Sequence, residues 1–197
     1  MRMNYLVLVN KNKKIPDDYD ISNHLVKIQN HYDKDHYYLI EENAYKMFEE
    51  LRSDLLKNDN IRIELTSAYR SIERQQDIWN QFLELYGEEY NKTHVAVPGY
   101  SEHHTGLCLD IGVVINDELI DDIKLYDYDD INRVIISKLS KYGFILRYPE
   151  GKEDKTGYKY ETWHFRYLND IEIAKYIMDH NLCLEEYLEE RCDWYDF

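Results

Sequence analysis

Two short stretches of the chain carry the side chains best suited to chemistry. The first reads Ser101-Glu102-His103-His104-Thr105-Gly106-Leu107-Cys108-Leu109-Asp110, and the second Glu161-Thr162-Trp163-His164-Phe165-Arg166-Tyr167. Together they offer two imidazoles (His103, His164), a carboxylate (Asp110) and a second carboxylate, Glu161, to spare. Three N/O donors with a fourth position left open are what a catalytic zinc needs. Glu161 precedes His164 by three residues, so His164 can hold the metal while Glu161 reaches a water on it. Such a water has its pKa lowered toward ~7. Glu161 would accept its proton during attack and deliver one to the leaving amine. Trp163 would wall the site and keep it dry. The pattern points to a zinc peptidase.

The elements around these residues follow from periodicity. His103 and Asp110 are seven apart, which in a helix separates them by about 10.5 Å along the axis. A turn at Thr105-Gly106 between two extended arms brings them together better. Ser101 then shares a face with His103, and His104 points away as a non-ligand. Residues 4–11 read as a strand and residues 12–40 as mostly loop, with His24, His31 and His36 at the surface or locally hydrogen-bonded. Residues 41–57 form a helix, with Ala44, Phe48, Leu51 and Leu55 on one face. Ile61 to Leu65 alternates as a half-buried strand. Ser71 caps a helix reaching Tyr86, with Ile78, Trp79, Phe82 and Tyr86 inward. Asn116 to Asp130 is an acidic loop in which Asp117, Asp121 and Asp122 are solvated. A helix over 131–141 ends at Gly143. A strand follows at 144–148 and a strand or extended segment at 158–167, either side of a charged turn at 150–157, and residues 170–191 form one or two helices. The expectation is one α+β domain over residues 1–197. Its small antiparallel sheet carries the zinc site, helices flank it, and residues 169–197 form a helical tail.

Composition narrows the function classes. The 197 residues suffice for a real core, with 44% hydrophobic and 32% charged residues. A net charge of −15 argues against a general nucleic-acid binder, which would be repelled by phosphates. Three cysteines (Cys108, Cys183, Cys192) without C-x-x-C spacing argue against a disulfide framework or a cysteine zinc knuckle. The apolar run Tyr5 to Val9 is too short for a signal peptide or a membrane span, so the expected location is cytoplasmic.

The pattern Ser-x-His-x-x-Gly-x-x-x-Asp followed by Glu-x-Trp-His resembles the zinc D,D-peptidases of the D-alanyl-D-alanine carboxypeptidase family. That family includes the vancomycin-resistance carboxypeptidases and D-Ala-D-Ala dipeptidases. Leu8-Val9-Asn10-Lys11, Ser67-Ala68-Tyr69-Arg70-Ser71, Pro98-Gly99-Tyr100-Ser101-Glu102-His103 and Gly143-Phe144-Ile145-Leu146-Arg147-Tyr148-Pro149 resemble it in the same order, over roughly residues 6–168. The resemblance implies one Zn2+ ion on His103, Asp110 and His164, with Glu161 as base. It also implies that Arg70 stands near the scissile carbonyl, where a fixed guanidinium could stabilise an oxyanion. Gln76 and Ser101 match positions lining the substrate site, and Tyr100, Trp163, Arg147 and Arg166 are weaker candidates. Two departures stand out. Cys108 occupies a position where alanine is common, and Thr162 replaces a common proline.

The expected reaction is removal of C-terminal D-alanine from peptidoglycan-precursor peptides. Cleavage of free D-Ala-D-Ala dipeptide or of an L,D-bond in a tetrapeptide stem uses the same chemistry. A zinc-binding module without catalysis would need neither Glu161 nor Arg70. An acidic interaction protein with coincidental histidines is the remaining alternative. The sequence leaves the oligomeric state open.

Overall fold

The computed structural model describes residues 3–31 and 33–193; the side chain of Cys192 lies outside the described residues. Among the described residues, seven strands and seven helices follow in the order β1 (Leu25–Gln29), β2 (Tyr37–Glu41), α1 (Glu42–Asp59), β3 (Ile63–Ser67), α2 (Ile72–Tyr86), α3 (Glu88–His94), β4 (Cys108–Ile115), β5 (Glu118–Ile120), α4 (Asp129–Lys138), β6 (Phe144–Leu146), α5 (Glu153–Thr156), β7 (His164–Tyr167), α6 (Ile171–Asp179) and α7 (Leu184–Asp193). Short 3-10 turns lie between several of them. The α+β expectation holds. The main sheet is antiparallel in the order β3-β4-β7-β6, with β5 also pairing β4, while β1 and β2 form a separate hairpin.

The sheet has two different faces. Leu109, Ile111, Val113, Phe144 and Phe165 point to one side and bury against Ala44, Phe48, Leu51 and Leu55 of α1. The 4-3-4 spacing of those four α1 residues makes the single apolar stripe read from the sequence. The Glu41 carboxylate caps the helix by accepting from Ala44 N–H at 2.8 Å, and Asn60 closes it in the left-handed conformation, φ 57°. Strand alternation sends Cys108, Asp110 and Gly112 to the other face. Asp110 lies directly opposite His164, and Cys108 opposite Arg166. Two residues from separate motifs thereby become neighbours.

Several expected elements differ. Residues 4–11 are not a sheet strand. Their carbonyls are taken instead by buried guanidiniums: Arg166 donates to Tyr5 O and Val7 O at 2.9 and 2.8 Å. The expected loop 12–40 contains the β1–β2 hairpin. The inward face assigned to α2 is largely unburied, with Tyr86 57% exposed. This helix packs chiefly on α3, where Tyr86 and Tyr90 rings meet at 4.7 Å, and it buries only Gln75. The acidic loop holds β5 and a 3-10 turn over Asp122–Asp127. No helix among the described residues is long and apolar enough to cross a membrane.

Candidate active site

His103 sits in a 3-10 turn, Glu102–Thr105, rather than on an extended arm. Thr105 Oγ1 donates to Glu102 O at 2.7 Å, and Gly106 ends the turn at φ 66°. A Cβ at Gly106 would also lie 3.0 Å from Leu25, so glycine is required twice over. The turn is what lets three consecutive side chains take three jobs.

His103 Nδ1 lies 2.6 Å from the carbonyl of Ala68. A carbonyl only accepts, so Nδ1 always carries a proton, and Nε2, 3.2 Å from Asp110 Oδ2, is the nitrogen that a metal can take once its own proton leaves. His164 has the opposite polarity. Its Nε2 meets Glu102 Oε2 at 2.9 Å, and its Nδ1 faces Asp110 Oδ1 at 2.7 Å. Each imidazole thus has one nitrogen committed to an outer partner and one turned toward Asp110, as expected of oriented metal ligands. His104 has none to spare. It donates from Nδ1 to Arg70 O at 2.7 Å and accepts at Nε2 from Gly99 N–H at 3.0 Å.

Glu102 is the residue the sequence reading passed over. It is 2% exposed and accepts from Arg147 Nε at 2.6 Å and Arg166 Nη1 at 2.7 Å. Burial alone would raise its pKa, but the two guanidiniums override burial and hold it well below the carboxylate range. It therefore stays ionised and accepts a hydrogen bond from His164 Nε2–H. Arg147 also makes a two-pronged pair with Glu185 of α7, both contacts 2.8 Å. The signal was available, since Phe144-Ile145-Leu146-Arg147 and Phe165-Arg166-Tyr167 put arginines inside apolar strands, where each demands a buried acid.

These groups open onto a cavity of about 440 Å³. His103, Asp110, His164, Glu161, Arg70, Ser101 and Trp163 all line it. Glu161 Oε2 is 4.0 Å from His164 Nδ1, and its side chain is 27% exposed. Desolvation pushes its pKa up to about 7, with Asp110 adding to the rise and His164 opposing it. For His103, burial works against the charged ring, yet Cys108 and Asp110 push its pKa up to about 9. Asp110 moves the other way, held low by both imidazoles against its own burial. The donor set suits a divalent cation: two oriented imidazole nitrogens and a carboxylate whose charge is already favoured.

Arg70 is fixed by Gln75 Oε1 at 2.8 Å and Ser67 Oγ at 3.2 Å. A β-bulge between Leu65 and Ser67 brings Ser67 level with Asp110. Gln76, the expected substrate contact, is exposed, bonds Asn80 at 2.9 Å and does not line the cavity. Helix phase explains the difference: Gln75 falls on the stripe with Ile78 and Phe82, and Gln76 on the opposite stripe with Asn80. Asp122 is exposed, as read from the sequence, and also borders the cavity with Ile123 and Tyr126.

Residues 37–170 match the family described as VanY: D-alanyl-D-alanine carboxypeptidase. The chain belongs to this family. It is 35% identical over 188 residues to the bifunctional D-Ala-D-Ala dipeptidase and carboxypeptidase VanXYC of Enterococcus gallinarum, covering 94% of each chain. Among solved structures it resembles the LdcB LD-carboxypeptidase, with TM-score 0.81, 36% identity, and coverage of 95% of this chain and 86% of that one. It also resembles a variant of the vancomycin-resistance D,D-pentapeptidase VanY in complex with Zn(II), with TM-score 0.75, 31% identity, and coverage of 93% and 98%. This VanY-family chain is a metallopeptidase.

Proposed function

We propose that this metallopeptidase is a zinc-dependent carboxypeptidase that hydrolyses the terminal D-Ala-D-Ala bond of peptidoglycan-precursor peptides. The observation that supports it most is the convergence of His103 Nε2, His164 Nδ1 and the Asp110 carboxylate, with Glu161 beside them in one cavity. His103, Asp110 and His164 would hold one zinc ion. When bound, the zinc supplies a Lewis acid and a water acidic enough to attack near neutral pH. Glu161 takes the proton of the attacking water and hands it to the leaving amine, and a pKa near 7 suits both transfers. Arg70 offers a guanidinium, braced by Gln75 and Ser67, to the oxygen that gains charge. Ser101 and Trp163 border the bound peptide, and Trp163, 8% exposed, excludes water from one side.

A D-Ala-D-Ala dipeptidase is the second reading, and Asp122 favours it. Its carboxylate on the cavity wall is suited to a free substrate ammonium, which a longer peptide lacks. The likeness to LdcB keeps an L,D-carboxypeptidase as the third. The test is product release by zinc-loaded protein from D-Ala-D-Ala, a muramyl pentapeptide ending in D-Ala-D-Ala, and a tetrapeptide stem, each with a chelator control. Chelator-sensitive D-alanine from the pentapeptide is the expected result. Preference for the dipeptide or tetrapeptide would replace it with the second or third reading, and silence on all three would refute the peptidase proposal.

A further inference from the structure

A third soft donor lies against the two imidazoles. Cys108 opens β4 two residues before Asp110, so strand alternation directs both side chains to the same face. It is 0% exposed. Its Sγ and one ring nitrogen each of His103 and His164 all lie within 4.8 Å of one another. Thiolate sulfur binds zinc at about 2.3 Å and is favoured over carboxylate oxygen by softer cations.

We propose that Cys108 donates its sulfur to the metal held by His103, Asp110 and His164, making a two-nitrogen, one-oxygen, one-sulfur donor set. The inference rests on the zinc centre proposed above. No redox change is involved: the metal–sulfur bond forms as the thiol proton leaves to solvent. With Cys108 as a fourth protein donor, the site would admit water and substrate only as a fifth ligand or in place of one donor. A sulfur donor also shifts the site's preference toward soft cations such as cadmium.

The test is X-ray absorption at the zinc edge of the zinc-loaded full chain. The expected spectrum has a sulfur shell at about 2.3 Å beside the nitrogen and oxygen shell at about 2.0–2.1 Å. Cys108→Ala and Cys108→Ser should each lose the sulfur shell and keep the lighter one. Cobalt-loaded protein should show a sulfur-to-cobalt charge-transfer band that both variants lack. A wild-type spectrum with only nitrogen and oxygen overturns this proposal and leaves the zinc centre standing. A sulfur shell that persists in Cys108→Ala assigns the sulfur to another cysteine and also overturns it. Protein that takes up no zinc overturns both readings.

Discussion

Replacing Glu102 by Gln removes one negative charge and almost no volume. In the native cluster, Glu102 and Glu185 face Arg147 and Arg166, two charges of each sign. The side chains of both arginines and of Glu102 are 0% exposed. The variant therefore leaves one guanidinium charge uncompensated in the interior. Breaking a buried pair from one side costs about 3–5 kcal/mol, a large part of a typical stability of about 5–15 kcal/mol. For a chain of this size each kcal/mol moves Tm by about 2–4 °C, so a fall of roughly 6–20 °C is expected by calorimetry of the metal-free protein. The same substitution weakens the acceptor that keeps a proton on His164 Nε2 and its lone pair on Nδ1. Loss of such an outer partner lowers metal affinity by about 10–100-fold, measurable by competition with a chromogenic chelator. A Tm within about 2 °C of wild type, together with unchanged zinc affinity, would refute the account of Glu102 as both keystone and orienting acceptor.

The remaining predictions concern the reaction and the sheet. Glu161→Ala should retain zinc by elemental analysis yet lose about 10²–10⁴ in kcat; full activity would sink the proton-transfer role. In the wild type, kcat/KM should fall on the acid side as Glu161 gains a proton. Its apparent pKa should lie at or below about 7, because a bound cation favours the carboxylate. Arg70→Ala should cost about 10²–10³ in kcat with zinc content unchanged, and a change confined to KM would remove it from the oxyanion role. Because the raised pKa of His103 lets it hold a proton up to about pH 9 in the metal-free protein, zinc must displace that proton. Apparent zinc affinity should then rise from pH 6 toward 9 with proton release by calorimetry, and a pH-independent affinity would contradict it. Gly112→Ala would put a Cβ 2.7 Å from Leu119 Cδ1 and 2.9 Å from the Ile120 carbonyl; a loss of about 1–3 kcal/mol is expected in urea unfolding.

What could be read from the sequence was what is local and periodic. The α1 stripe needs only helical phase, and the cap at Ser71 needs only its neighbour Arg74, whose N–H it accepts at 3.1 Å. The two motifs were legible because their donors stand close together in the chain. The Glu102–Arg147–Arg166–Glu185 cluster was not, because its pairs span 38 to 64 residues and obey no period. Residues 4–11 look like a strand for the same reason: their apolar content signals burial, as at Val7 and Val9, but not that arginines rather than a neighbouring strand would take their carbonyls. The turn at Glu102–Thr105 hid behind an extended reading because a 3-10 turn of four residues leaves no repeat to detect.

The arginine cluster also has a consequence for how the enzyme is made. It joins Tyr5 and Val7, Glu102, His164 and Glu185, residues that leave the ribosome early, midway and late. At about 5–20 residues per second, roughly ten to forty seconds separate the emergence of Tyr5 from that of Glu185. In that interval the His103 and His164 imidazoles can already be outside the ribosome, while Arg147 still lacks the α7 carboxylate that completes its fork. The fork on Arg147 is therefore completed only when α7 has emerged, well after Glu102 and His103.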